Sequence, residues 1–159
     1  RGIPRSVAHG RATPVAGLPY RRRVGLRCGQ AAKPGKERDG RVVIHGIGVD
    51  ICSVTRLQES LSRTPKLGQR LFTETELETR PESLAARFAA KEALAKAIGD
   101  PRLLSWQEVE IVSTDLGKPE IRLSGQSAEA VSALGVRVSH LSLSHDQGLA
   151  VAMVVLEGN

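Results

Sequence analysis

From Ser83 to Ile98 the chain is written mostly in Ala, Leu, Glu, Lys and Arg, the strongest helix formers. Pro81 lies just before this stretch, Ser83 can cap it, and Gly99-Asp100-Pro101 stops it. Leu84, Phe88, Ala95 and Ile98 share one face at helical spacing, and that face is predicted to be buried. Around this helix the pattern changes to strands. Val42–Ile51 is β-branched and alternating, with Gly46 and Gly48 where the backbone can pass close to a neighbour. Trp106–Ser113 and Pro119–Ser124 read as strands joined by a turn over 115–119. In Val138–Ser144 the alternation sets His140, Ser142 and Ser144 opposite Leu141 and Leu143, and Gly148–Glu157 completes the sheet. Shorter helices fill the rest: Ser53 caps one that runs to about Arg63, and Lys66–Phe72 forms another. Thr73-x-x-Glu76 is a capping box, and Ser124–Leu134 closes at Gly135. The order predicts an α+β fold, an antiparallel sheet packed with one long helix and several short ones.

The charge divides the chain. Residues 1–41 hold 11 of the 23 basic side chains and 2 of the 17 acidic ones, a balance of +9. The other 12 basic and 15 acidic side chains leave residues 42–159 at −3. The first segment also carries Pro4, Pro14, Pro19, Pro34 and seven glycines with no sustained period, so it reads as a disordered basic extension. Three readings fit it: a leader, an Arg-rich targeting segment, or sequence upstream of a start at Val42 or Val43. The folded domain is expected over 42–159. The longest apolar run, Leu149 to Leu156, is eight residues, far short of the roughly 18 a membrane helix needs. Cys28 and Cys52 make no disulfide framework, which favours a reducing, cytoplasmic setting. A nucleic-acid binder is expected to show a basic stripe with stacking aromatics on its folded part. This one is acidic there, with only Phe72, Phe88 and Trp106.

Each candidate site has an ordinary explanation when taken alone. Asp50 lies between Val49 and Ile51, costly for a carboxylate unless it is paired, binds a cation or faces solvent. Glu92 and Lys96 stand four apart on a helix face, as a surface ion pair does. Arg87 and Lys91 form a parallel basic row. Ser144, His145 and Asp146 are adjacent on a strand and point to alternating faces, so they form no catalytic triad.

Together they change the reading. The strand Gly46-Ile47-Gly48-Val49-Asp50-Ile51, then Phe72-x-x-x-Glu76, Arg87-Phe-Ala-Ala-Lys-Glu-Ala, Gly117-Lys118-Pro119 and His140-x-Ser-x-Ser-His follow one another in that order. Over about residues 43–158 the chain resembles the holo-acyl-carrier-protein synthase family, the small bacterial phosphopantetheinyl transferases.

That resemblance implies transfer of 4′-phosphopantetheine from coenzyme A to a serine of apo acyl carrier protein, with Mg²⁺ required. By motif, Asp50 and Glu92 are the metal carboxylates, in keeping with magnesium's use of one or two carboxylates completed by water and phosphate oxygens. Lys91, Lys96 and Arg87 are placed to meet phosphate oxygens. Gly117, Lys118 and Pro119 resemble the loop near the adenine and its 3′-phosphate, although Leu116 stands where the family often has Asn. His140, with Ser142 and Ser144 on its strand face, is expected at the nucleotide. The general base is left open between a bound water, Asp50, Glu92 and His140; metal coordination makes a poor base, which favours the water. Arg56, Arg63, Lys66 and Arg70 are expected to dock the acidic carrier, Arg56 foremost. The resemblance also implies a homotrimer with active sites between protomers. Two rivals remain: a transferase serving a specialised carrier protein, and a coenzyme-A-binding homologue without activity.

Overall fold

A computed structural model describes residues 42–159. The extension expected over 1–41 lies outside the described residues. The elements follow the order β1 (Val43–Ser53), α1 (Val54–Arg63), α2 (Pro65–Leu71), α3 (Glu74–Leu77), α4 (Pro81–Ile98), β2 (Val109–Ser113), β3 (Pro119–Leu123), α5 (Gly125–Ala133), β4 (Val136–Asp146) and β5 (Leu149–Gly158). An antiparallel sheet runs β1-β5-β4, and β2 and β3 form a separate hairpin. The α+β architecture is therefore as the sequence predicts. No helix of the described residues is long and apolar enough to cross a membrane.

Helix α4 lies across β1 and β5, and the reason is steric. Side chains alternate along β1, so Gly46, Gly48, Asp50 and Cys52 face the helix while Ile47, Val49 and Ile51 face away. A Cβ at Gly46 would overlap the carbonyl oxygen of Ala97, and one at Gly48 that of Ala93. Glycine against alanine lets two backbones touch. Ala150, Ala152, Val154 and Leu156 of β5 complete the floor, and α4 is buried almost all round, beyond the single face predicted for it.

The helix ends follow local chemistry, with one correction. Pro81 is the first residue of α4, Arg80 occupies the cap position, and Ser83 lies inside the helix and caps nothing. Gly99, with φ 83°, closes it. Ser53 caps α1 through a bond from the Arg56 amide, and the Thr73–Glu76 capping box is complete. A second correction concerns Trp106. Residues Trp106–Glu108 form a 3-10 turn, and the strand starts only at Val109. The turn tucks Trp106 against Phe88, rings 6.3 Å apart, and Phe88 in turn packs on Phe72. All three aromatic rings of the described domain thus pack on one another.

Candidate active site

Because Ala93 sits on Gly48, the residues flanking it on α4 come to β1 beside Asp50. Lys96 Nζ lies 2.7 Å from Asp50 Oδ1 and donates also to the Val49 carbonyl at 3.1 Å. Lys96 thus pairs with an acid 46 residues away rather than with Glu92 one turn back. The Asp50 carboxylate is largely enclosed, with 16 % of its side chain exposed. Glu92 is close enough to feel it: burial first, then the Asp50 charge, push the Glu92 carboxyl above its ordinary value, with Lys96 pulling the other way. Two carboxylates in a half-buried site, only partly neutralised, form a place where a cation would lower the energy. Among the described residues no three His, Cys, Asp or Glu side chains converge. Two carboxylates with room for other oxygens fit Mg²⁺, which keeps waters and phosphate oxygens, better than a metal needing a full protein cage.

Beside Glu92 opens a cavity of about 330 Å³, lined mainly by apolar carbon from α1, α2 and α4. Leu57, Leu67, Leu71 and Phe88 form its walls, with Arg56 and Glu92 as its charged groups. Cys52 also faces it; burial, with the Asp50 charge added, holds its thiol above the usual range, so it is a neutral wall residue. Arg56, Arg63, Lys66 and Arg70 are exposed on α1 and α2. Arg63 and Arg70 lie in the last turns of their helices, where a cation also meets the helix dipole favourably.

A second cleft, of about 300 Å³, is lined by Ser83, Ala86 and Arg87 of α4, by Gly117 and Pro119 of the β2–β3 turn, and by Leu141–Leu143 and His145 of β4. Arg87 Nε donates to the Ile111 carbonyl and Nη1 to that of Ser83, both at 3.2 Å, fixing the guanidinium with its other N–H groups free of those bonds. The turn is tight: Thr114 N bonds Lys118 O, Gly117 N bonds Thr114 O, and Gly117 takes φ 79°. Arg87, Gly117, Pro119 and Ser142 are thus brought together.

Three expected residues stand elsewhere. Lys91 cannot meet a phosphate. Its ammonium is fully buried and donates to Glu76 Oε2 at 2.7 Å, Leu71 O at 2.8 Å and Trp106 O at 2.9 Å, which uses its three protons. Burial lowers its pKa, and Glu76 opposes the shift. His140 lies on the exposed face of β4, away from α4, with Nε2 3.0 Å from Glu157 Oε2. The histidine in the Arg87 cleft is His145, on the strand face of Leu141 and Leu143. The alternation already held that signal. Lys118 is 70 % exposed, and its nearest charged partner is Glu120 at 4.0 Å, so the turn offers the cleft its Gly and Pro.

A cleft with a fixed guanidinium and a two-carboxylate site, on either side of one helix, suit a diphosphate ester and a cation. Residues 46–153 match the model of the 4′-phosphopantetheinyl transferase superfamily, and the chain belongs to that family. Within it, the chain is 51 % identical over 117 residues to the holo-[acyl-carrier-protein] synthase of Clavibacter michiganensis, covering 74 % of this chain and 98 % of that one. Its fold is similar to that of the holo-[acyl-carrier-protein] synthase of Neisseria meningitidis, with TM-score 0.67 and 32 % identity over 72 % of this chain and 98 % of that one. The enzyme from Helicobacter pylori, solved in complex with coenzyme A, matches with TM-score 0.62 and 32 % identity over 69 % and 98 % of the two chains.

Proposed function

We propose that this chain is a holo-acyl-carrier-protein synthase, moving 4′-phosphopantetheine from coenzyme A to a serine of apo acyl carrier protein and releasing adenosine 3′,5′-bisphosphate, in support of fatty acid synthesis. The observation that carries the residue assignment is the meeting of Asp50, Glu92 and Lys96 where α4 crosses β1. Asp50 and Glu92 would hold Mg²⁺, which when bound supplies positive charge to the diphosphate as its phosphorus–oxygen bond breaks. Lys96, half exposed, holds the Asp50 carboxylate in place, and its ammonium would meet the reacting phosphate. Arg87 and the 117–119 turn would take the nucleotide's phosphate and base, and His145 joins them there. The exposed cations of α1 and α2, Arg56 at the mouth of the Glu92 cavity, would receive the acidic carrier protein. The enzyme works in the cytoplasm in this reading.

The homotrimer is part of the same proposal. Ile47, Val49, Ile51, Val151 and Met153 stand 37–57 % exposed on the sheet face away from α4. A contiguous apolar face of this kind marks an association surface. Light scattering is expected to return three chain masses, and a monomer would remove the trimer from the reading.

The deciding experiment is intact-mass analysis of apo acyl carrier protein after incubation with this protein, coenzyme A and Mg²⁺. A gain of one phosphopantetheine group, abolished by EDTA, is expected. No gain with several carrier proteins would overturn the activity.

A further inference from the structure

A short helix ends with carbonyls that have no partner within it, and α2, seven residues long, is too short to persist by itself. Its end is held from outside. Gln107 Nε2, on the 3-10 turn before β2, donates to Gln69 O and to Phe72 O, both at 2.7 Å. Lys91 Nζ, on α4, donates to Leu71 O at 2.8 Å. Glu76 completes the arrangement: its carboxylate accepts from Lys91, from the Thr73 amide at 2.9 Å and from the Ile111 amide at 2.9 Å.

What is held matters for the site. Helix α2 supplies Leu67 and Leu71 to the cavity beside Glu92 and carries Lys66 and Arg70 on its outer side. Lys91 immediately precedes Glu92 on α4. One ammonium therefore ties the far wall of the cavity to the helix that carries the carboxylate. A buried ion pair adds little stability over an apolar replacement of the same volume, so what this pair contributes is sought in the single arrangement it enforces.

We propose that Lys91 and Gln107 are positioning residues for the transfer: they clamp the C-terminal end of α2 and so set the spacing between the carrier-binding face and the Glu92 carboxylate. This rests on the reading of α1 and α2 as the face that receives the carrier protein.

The test begins with Gln107→Ala, because Gln107 is exposed and carries no charge, so its loss leaves no buried ion unpaired. Two lost hydrogen bonds are expected to raise KM for apo carrier protein by about tenfold, while KM for coenzyme A and kcat at saturating carrier stay within about twofold. The double variant Lys91→Met/Glu76→Leu removes both charges together. It also strips the Thr73 and Ile111 amides and the Leu71 and Trp106 carbonyls of these partners, so its thermal midpoint is expected to fall. Below that midpoint carrier KM is expected to rise, while coenzyme A KM stays within about twofold. A purely structural pair would instead leave the carrier KM of the folded variant unchanged. Unchanged carrier KM in folded Gln107→Ala, or equal rises in both substrates' KM values, would overturn the clamp. Arg56→Glu run alongside separates the two ideas: a carrier KM raised by Arg56→Glu but not by Gln107→Ala sinks the clamp and leaves the docking face standing.

Discussion

Lys96 reaches across from α4 to within 2.7 Å of Asp50 on β1, and it does so because Gly48 has no side chain to keep Ala93 away. The short helix-to-strand distance is what converts two unremarkable sequence positions into one charged site. It also explains why Glu92, one turn before Lys96, shares the field of Asp50 and has its carboxyl pushed up.

If Asp50 and Glu92 hold the cation, Asp50→Ala and Glu92→Ala should each cut transfer by on the order of a thousandfold. The circular dichroism spectrum should be unchanged. Transfer at wild-type rate in either variant, read by carrier-protein mass, would remove that residue from the site.

Charge reversal at Arg56 should act on the protein substrate alone. Arg56→Glu is expected to raise carrier KM on the order of tenfold, about 1.4 kcal/mol, with the coenzyme A constant little changed. The wild-type carrier KM should also rise with salt, since exposed charges are screened. Steady-state kinetics at two ionic strengths checks both; insensitivity to salt would argue against electrostatic docking.

At Gly48 the expected effect is on stability first. A Cβ there meets the Ala93 backbone, which cannot rotate away, so Gly48→Ala should cost on the order of 1–3 kcal/mol and separate Lys96 from Asp50. Urea denaturation measures it. A variant as stable as wild type would show that the helix-to-strand approach has slack.

Glu108 provides a pH signature. Its carboxylate accepts from the Ser127 hydroxyl and amide at 2.7 and 2.8 Å and from the Gln126 amide at 3.3 Å, capping α5 from another element. These bonds, that to the Ser127 hydroxyl foremost, hold its pKa below the ordinary 4.5. A folded-state pKa lower than the unfolded one means stability that is full above about 4.5 and lost as pH falls through the folded value. The gap in urea midpoint between wild type and Glu108→Gln should therefore shrink from pH 7 to pH 3. A constant gap would assign the effect to packing alone.

Some of this was legible in the chain itself. Alternation put Asp50 on the glycine side of β1 and the Ser142 face of β4 opposite Leu141 and Leu143; the Thr73–Glu76 spacing announced a cap; the Ala-rich stretch before Gly99 announced α4. Such features are local, because the side-chain period of a strand or helix and the chemistry of a cap depend on residues within a few positions. The partners are not local. Whether Lys91 met a phosphate or Glu76, and whether Trp106 opened a strand or turned to stack on Phe88, depended on elements 15 to 20 residues away, as in the bonds from Lys91 to the Trp106 and Leu71 carbonyls. Packing chose among the options that periodicity left open, since a buried ammonium must find its acceptors wherever the folded chain presents them.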